Sequence, residues 1–244
     1  MKNHMFSKSL LAAAAAVALG AMAAGANADT ITGFQTVGTP TTVDLTTQGT
    51  VDWIHYISGG IDGTLASKNV TSPAISTPAI THQNTFSDGY PTSFSWTDGT
   101  STPKSGTDQG TAMANNAGSF SFTVKPDGQL ETLTVYLGDA YYQSTPVSNT
   151  FTDTYKLASV STPVTFTQTF DIGGASSSQT RVWVDTINFQ AASTDTLTVT
   201  IGNTATAGNA WLSAATLAPE PASLAMLGVG AVGLLLTRRR KVFA

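Results

Sequence analysis

The chain has 244 residues, of which 41% are hydrophobic and 11% charged, and a formal net charge of −4. It contains no cysteine, which excludes disulfide bonds, thiol catalysis and thiolate metal sites. Between residues 29 and 218, five basic residues accompany fourteen acidic ones. So few cations cannot neutralise a phosphate backbone, and we exclude nucleic acid as a partner.

The N-terminal segment, residues 1–28, has the three parts of a secretory signal peptide. A basic start precedes an apolar run from Leu10 to Ala24, and the sequence "ANA" ends at Ala28. Small residues at these positions suit signal peptidase, so we predict a signal helix that is cleaved between Ala28 and Asp29. A transmembrane anchor is the alternative, but the apolar run is short and is interrupted by glycine.

Short stretches with a period of two dominate residues 29–218, and helical periodicity is almost absent. In ETLTVYLG, for example, Leu133, Val135 and Leu137 share one face. TVDWIHYI and TRVWVDTINF are more uniformly apolar, as is typical of central strands covered on both faces. We predict about ten strands, in TITGFQTV, TVDWIHYI, TSFSWTDG, GSFSFTV, ETLTVYLG, NTFTDTYKL, TPVTFTQTF, TRVWVDTINF, TDTLTVTIG and NAWLSAATL.

Turn signals separate these strands. Asp-Gly pairs offer positive φ for tight reversals, and they lie at residues 62–63, 88–89, 98–99 and 127–128. The segment from Ser67 to Asn84 contains two prolines, and we predict a long loop there over one end of the fold. Regularly spaced short strands with such turns predict one all-β domain over residues 29–218, an antiparallel β-sandwich with jelly-roll topology.

Several phrases span most of residues 50–218: VDWIHYISGGIDG, SFSWTDGTSTPKSGTDQG, FSFTV, LETLTVYLGDAY, DTLTVTIGN and WLSAATLAP. Together they resemble a bacterial extracellular module with a galactose-binding-like jelly roll. The resemblance implies the same fold. Modules of this architecture include glycan binders and modules with no known ligand, so the ligand stays open. The segment from Val160 to Asn188 does not follow the pattern.

The body offers few residues for catalysis. His55 and His82 are the histidines beyond the signal peptide, and no G-x-S-x-G nucleophile motif is present. His55 alternates with Trp53 and Ile57 in a predicted strand, which indicates a core or edge histidine. Glu131 is the only glutamate between residues 29 and 218, whereas a glycosidase needs two suitably spaced carboxyl groups. We predict that the protein is not an enzyme; a glycan-active enzyme is the least favoured alternative.

Tyrosines and aspartates supply the candidate ligand-binding side chains. Tyr90, Tyr141 and Tyr142 lie in predicted loops or at a strand end, where aromatic rings could stack on sugars. The four tryptophans lie within strand patterns and are predicted core residues. Asp62 and Asp139 are the calcium candidates, because hard cations take carboxylate oxygens. No D-x-D-x-D motif is present, so solvated turns are the simpler interpretation, and no other cofactor is predicted.

The C-terminal segment, residues 219–244, begins with Pro219, Glu220 and Pro221. The prolines favour extended backbone, so this tripeptide is expected to lie exposed just outside a membrane. The uncharged stretch Ala222–Thr237 would form a helix of roughly 24 Å, short for a hydrocarbon core of roughly 30 Å. A basic cluster behind it resists translocation and keeps the end cytoplasmic: Arg238, Arg239, Arg240 and Lys241.

This order of parts resembles the PEP-CTERM sorting signal of Gram-negative bacteria. The resemblance implies that an exosortase, a membrane protease, recognises the tripeptide and removes the tail after a transient stay in the inner membrane. The protein is then expected at the cell surface or outside the cell, with a structural or adhesive role in an extracellular polysaccharide matrix such as a biofilm. A carbohydrate-binding module is the alternative function, and a plain membrane anchor is the alternative interpretation of the tail.

Overall fold

The computed structural model describes residues 29–57, 64–84, 90–100, 108–115, 117–141, 147–172, 179–203 and 209–220. The predicted signal helix and the predicted C-terminal transmembrane helix lie outside these ranges. Within them, no helix is long and apolar enough to cross a membrane.

The described residues form fifteen strands and one four-residue helix. In chain order they are β1 (Thr30–Val37), β2 (Thr42–Asp44), α1 (Leu45–Gln48), β3 (Asp52–Tyr56), β4 (Leu65–Ser67), β5 (Ala79–Ile80), β6 (Gln83–Asn84), β7 (Ser93–Ser95), β8 (Ala112–Asn115), β9 (Ser119–Val124), β10 (Leu130–Tyr141), β11 (Val147–Leu157), β12 (Val164–Ile172), β13 (Gln179–Gln190), β14 (Leu197–Asn203) and β15 (Asn209–Pro219). Each of the predicted strand sequences overlaps one of these strands.

Eight strands form the larger sheet, in which neighbouring strands are antiparallel and the main order is β1-β13-β10-β15-β3-β4. The long strand β15 pairs with β10 on one side. On its other side its first half pairs with β8 and its second half with β3. The pairing partner of β15 changes from β8 to β3 between Leu212 and Ala214. At the same place its register with β10 shifts between Tyr136 and Leu137, which leaves Ser213 as an extra residue in β15.

Five strands in the order β12-β11-β14-β9-β5 form the smaller sheet, again with antiparallel pairs. Alternate residues of both sheets form the main core between them, including Phe122, Leu133, Ile187 and Val199, each at most 2% exposed. This alternation is the one that the period-two patterns predict. The structure therefore confirms an all-β fold of antiparallel sheets, consistent with a β-sandwich; the jelly-roll topology stays a prediction.

A second, smaller core covers part of the other face of the larger sheet. Its cover consists of β2, α1 and the segment around β7, and β2 pairs with β7 in parallel. The aromatic residues Trp53, Phe94 and Trp96 are buried there. Because apolar side chains pack on both of its faces, all five residues of β3 are buried, as its sequence predicts.

The expectation that β13 is covered on both faces holds only in part. It is a central strand between β1 and β10, and Trp183 and Ile187 are buried on its inner face. On its outer face, Val184 and Thr186 are half-buried. The physical reason is that the segments covering the second core pack mainly on β3, β8 and β15. Only the margin of this core contacts β13.

The segment from Ser67 to Asn84 is not a free loop. It forms the short strands β5 and β6 and runs beside β9, where Ser76 N donates to Thr123 O over 2.9 Å. Asp52 fixes it, because one carboxylate oxygen accepts the backbone N–H groups of residues 74 and 75 at 2.7 and 2.8 Å. The segment from Val160 to Asn188, which departs from the module pattern, contains β12 and most of β13.

The two Asp-Gly pairs within the described residues have different roles. Gly128 has φ +94° and forms the predicted reversal before β10. Gly99 does not have positive φ; a Cβ atom there would approach the Trp53 ring to 2.5 Å, so close packing explains this glycine. The pairs at residues 62–63 and 88–89 lie outside the described residues.

Candidate functional site

The predicted sorting tripeptide begins where the folded body ends. Pro219 is the last residue of β15 and pairs with Glu131 of β10. Glu220 lies just beyond the strand, and its N–H donates to the carbonyl of Leu130 over 2.9 Å. The buried side chain of Leu217 lies two residues before Pro219. The body therefore passes into the tripeptide without a linker.

Tyr90 is not an exposed loop aromatic. Its side chain is fully buried in the second core, and its hydroxyl donates to the carbonyl of Leu137 over 3.0 Å. Burial raises the pKa of this hydroxyl well above its usual value. Phe94 packs on the ring, with centroids 5.9 Å apart. A ring in this position has no free face for a sugar, which corrects the expectation drawn from the sequence.

The other loop candidates are only partly described. Tyr141 is the last residue of β10 and pairs with Gln179, which fixes its backbone position at one end of the larger sheet. Tyr142 lies outside the described residues, and so does Asp62. Stacking of Tyr141 and Tyr142 on sugars stays a prediction.

Asp139, the second calcium candidate, is fully buried on β10 rather than exposed in a loop. The backbone N–H of Asn209 donates to its Oδ1 over 3.2 Å, and within the described ranges its Oδ2 meets no donor at hydrogen-bond geometry. Burial raises its pKa to about 7, although the backbone N–H of Asn209 and the side-chain amide of Asn149 act to lower that pKa. Among the described residues no three histidine or carboxylate side chains cluster as metal ligands. Calcium takes six to eight oxygens, so Asp139 and Asn149 supply only part of such a site.

His55 forms a structural bridge between buried segments. Its Nε2 lies 3.1 Å from Asp108 Oδ1, and its Nδ1 lies 3.0 Å from the carbonyl of Ser213. The Ser213 hydroxyl donates to the carbonyl of Gly110 over 2.6 Å, so it does not face the imidazole as a nucleophile would. The three side chains are fully or almost fully buried. This arrangement joins the residue 108–110 segment to β15 at the extra residue Ser213.

A pair of buried carboxyl groups spans the main core. Asp153 lies on β11 of the smaller sheet, and Asp185 lies on β13 of the larger sheet. Trp183 Nε1 donates to Asp153 Oδ2 over 2.9 Å. Gln35 Nε2 donates to Asp185 Oδ1 over 2.7 Å and approaches Asp153 Oδ2 at 3.4 Å.

Burial is the largest influence on the protonation of this pair. Burial, with the nearby charge of Asp185, raises the pKa of Asp153 well above its usual value. Burial raises the pKa of Asp185 to about 6, against the lowering effect of hydrogen bonds from Tyr155, Gln35 and Asp153. The raised pKa favours the protonated form of Asp153, which can act as the donor of a hydrogen bond to Asp185. Both carboxyl groups are buried in the main core and accept from the same Gln35 amide, whereas the two carboxyl groups of a glycosidase flank a bound sugar.

Sequence reasoning missed this pair, although a signal was present. Asp153 follows Phe151 by two residues and precedes Tyr155 by two, so the period of the strand places it on the inner face. Asp185 stands between Trp183 and Ile187 in the same way. A charged residue in phase with the apolar face of a strand predicts a buried, hydrogen-bonded carboxyl group.

Two surface recesses of about 320 and 370 Å³ lie elsewhere in the described body. The first lies between β3, β4 and the segment beside β9, and its lining includes Ile54, Pro73 and Lys125. The second lies where β1 ends, and its lining includes Val37, Pro40 and Tyr136. Among the described lining residues of both recesses, the titratable side chains are Lys125 and Tyr136.

Residues 217–241 match the family model of the PEP-CTERM protein-sorting motif. The match confirms the predicted sorting signal, and the motif implies an exported protein that is anchored in a membrane before an exosortase processes it. It covers the C-terminal segment and does not describe the β-sandwich body.

No curated protein matches the chain. Among solved structures, the chain is similar to that of TmCBM61 in complex with β-1,4-galactotriose. The identity is 8%, the similarity covers 46% of this chain and 72% of the other, and the TM-score is 0.28. A TM-score this low defines neither a shared fold nor a shared binding site.

Proposed function

We propose that the protein is a structural or adhesive component of the cell surface or of an extracellular polysaccharide matrix, and that an exosortase releases its folded body from the membrane. The observation that carries the proposal is the direct passage from β15 into the sorting motif at Pro219. Because the body has no linker to the motif, the whole domain stays next to the membrane until the tail is removed.

The buried polar groups support a structural rather than a catalytic role. His55, Asp153 and Asp185 make contacts inside the protein and lie at most 1% exposed. A catalytic acid or base must reach a substrate directly or through one water molecule, and these groups have no such access. The candidate acid–base groups of the described body therefore act as internal connections between strands.

The first experiment is the intact mass of the protein recovered from its native host, with and without the exosortase gene. We expect the mass of the wild-type product to lack the residues beyond about Pro219, and the tail to persist in the deletion strain. A tail that persists in both strains would make the protein an ordinary membrane-anchored surface protein and would overturn the sorting part of the proposal.

Carbohydrate binding is the second candidate, and the outer face of the smaller sheet favours it. Threonines of neighbouring strands lie side by side there: Thr165 pairs with Thr154, which pairs with Thr200. The next row contains Thr167 and Thr152. These side chains are exposed or half-buried, so their hydroxyl groups can exchange hydrogen bonds with an uncharged polysaccharide.

This candidate is tested by retardation of the exported protein in gels that contain neutral or acidic polysaccharides. Thr167→Lys changes the centre of the hydroxyl face, and Leu130→Lys is the matched control on the other sheet. Tyr141→Ala and Tyr142→Ala test the loop tyrosines. If all four variants are retarded as strongly as the wild type, neither the threonine face nor the loop tyrosines bind the polysaccharide. Turnover of any polysaccharide by the wild type would instead favour an enzyme.

A further inference from the structure

Strand β1 is a long outer edge of the larger sheet. It pairs with β13 over its whole length, and no other strand of the described body pairs with it. At the far ends of the two strand orders the edge strands are short, since β4 has three residues and β5 has two, and β12 is the other long edge. A long open edge presents a row of backbone donors and acceptors to a further strand.

The ladder between β1 and β13 shows which backbone groups are available. Gly38 N donates to Val182 O over 2.8 Å, and hydrogen-bonded pairs recur at every second residue of an antiparallel ladder. Residues 30, 32, 34 and 36 therefore direct their N–H and C=O groups toward β13. Ile31, Gly33, Gln35 and Val37 direct theirs outward. Phe34 lies at the centre of the stretch from Ile31 to Val37 that these outward groups span.

Exposed apolar side chains coincide with this edge. Phe34 is 56% exposed and Val37 is 79% exposed, and they are the most exposed large hydrophobic residues of the described body. Natural edge strands are usually blunted by charge or proline, and residues 30–37 contain neither. β12, the other long edge, contains Asp171.

We propose that β1 pairs with β1 of a second copy of this chain, antiparallel and related by a twofold axis through Phe34. With the axis at that residue, Ile31 pairs with Val37 of the second copy and Gly33 with Gln35. All outward backbone groups are then used, giving about eight hydrogen bonds. A shift of the register by two residues in either direction leaves some of them unpaired.

The side chains of β1 fit this register. The twofold axis places Phe34 opposite its own copy in a non-hydrogen-bonded pair, where side chains are closest and aromatic pairs are favourable. The exposed Val37 meets the half-buried Ile31 on the other face of the strand. The edge carries no charge, although the body is strongly acidic, so two copies can approach here without direct repulsion. This proposal is independent of the proposed function.

Single cysteines test the register, because the chain has no cysteine of its own. In cells that export the whole chain, we expect Phe34→Cys to form a disulfide-linked dimer on a non-reducing gel. Its Cα atom would lie about 4.5 Å from that of the second copy, within the range of disulfides. Thr36→Cys is the matched control, since it lies about 13 Å from its own copy in this register.

Thr36 instead faces Thr32 of the second copy. Cells that export Thr32→Cys and Thr36→Cys chains together should therefore form a mixed dimer, and neither variant alone should form one. Absence of the Phe34→Cys dimer would overturn the proposal. The proposal would also be overturned if Thr36→Cys, expressed alone, formed as much disulfide-linked dimer as Phe34→Cys. That result would indicate random collisions or contact through the tail.

A second measurement does not depend on disulfide formation. Sedimentation of the exported protein should show a dimer whose fraction increases with concentration. Phe34→Lys places two like charges face to face on the axis and should abolish the dimer. Leu130→Lys changes another exposed apolar residue and should leave it intact, with the melting temperatures confirming that both variants are folded. A monomeric wild type, or a Phe34→Lys variant as dimeric as the wild type, would contradict the proposal.

Discussion

The hydroxyl of Tyr155 donates a hydrogen bond to Asp185 Oδ2 over 2.7 Å and joins the two sheets across the main core. Tyr155 belongs to β11 and Asp185 to β13, so the bond is made between strands of different sheets. Trp183 and Asp153 make the reciprocal connection, from β13 to β11. Burial raises the pKa of the tyrosine hydroxyl, so it stays a donor at all physiological pH values. The two sheets are therefore linked across the core by two hydrogen bonds, one donated from each sheet.

Asp153→Asn should keep this bridge and remove the part of its pH dependence that Asp153 contributes. An asparagine amide can still accept from Trp183 through its oxygen and donate toward Asp185 through its nitrogen, as the protonated acid does. Because the raised pKa of Asp153 makes the native wild type bind a proton that the unfolded chain releases, we expect the stability of the variant relative to the wild type to be greater at pH 8 than at pH 6. Urea unfolding at both pH values measures this. Asp29→Asn, outside the core, is the control. A difference that stays the same or shrinks from pH 6 to pH 8 would contradict the raised pKa of Asp153.

The free energy of unfolding should decrease as pH rises from about 4 to about 7. Burial raises the pKa of Asp185 to about 6 and the pKa values of Glu131 and Asp139 to about 7. The native state therefore binds more protons than the unfolded chain in this window, and each such group decreases stability by at most about 1.4 kcal/mol per pH unit.

Thermal melting at pH 5 and pH 8 tests this dependence. We expect a melting temperature several degrees lower at pH 8, since 1 kcal/mol corresponds to roughly 2–4 °C for a domain of this size. Asp98 and Asp195 have lowered pKa values and stabilise the fold at higher pH, but their window lies below pH 4 and does not overlap. A melting temperature that rises from pH 5 to pH 8 would contradict the buried state of these carboxyl groups.

Tyr90→Ala should destabilise the body rather than remove a ligand contact. The ring is fully buried against Phe94, so its loss leaves a cavity that costs about 3–5 kcal/mol. Tyr90→Phe keeps the ring and loses the bond to the Leu137 carbonyl, with an expected cost of about 1–3 kcal/mol. Chemical unfolding of both variants checks the order. Equal stability of Tyr90→Ala and the wild type would show that this residue lies at the surface.

Alanine at two glycines should act through different physical causes. A Cβ atom at Gly99 would meet the Trp53 ring at 2.5 Å, so Gly99→Ala should cost about 1–3 kcal/mol through overpacking. Gly128 has φ +94° but open space around it, so Gly128→Ala should cost about 1–2 kcal/mol through backbone strain.

Near-ultraviolet circular dichroism separates the two causes. Gly99→Ala should change the tryptophan signal, because Trp53 must move, and Gly128→Ala should leave it unchanged. An altered tryptophan signal in both variants, or in neither, would contradict this assignment.

The strands were predictable because period two is a direct consequence of strand geometry. The inward positions Leu133, Val135 and Leu137 follow from the sequence alone, and so does the buried position of His55. The second core was not predictable, because the residues of α1 and β2 and those around Tyr90 have no periodicity. They are held by single contacts that the sequence does not show, such as the bond from the Tyr136 hydroxyl to Gln48.

The features of the candidate site were also predictable only in part. The sorting motif was predictable because its parts follow one another along the chain, and each has a physical role that its residue types define. The contact of Asp153 with Asp185 was not, because it joins residues of different sheets whose pairing depends on the whole topology. Tyr90 was misplaced because a tyrosine after Asp-Gly is typical of an exposed loop, whereas its partner Leu137 lies far along the chain.

The position of β15 determines how the body would respond to mechanical load. Any attachment made at the C-terminus pulls on a strand that has hydrogen-bonded neighbours on both sides up to Leu217, β10 on one and β3 on the other. Force along such a strand must shear many backbone bonds at the same time. An edge strand such as β1 has one such ladder, so force along it would meet fewer bonds. A tether at the C-terminal side of β15 would therefore load two ladders of the larger sheet together.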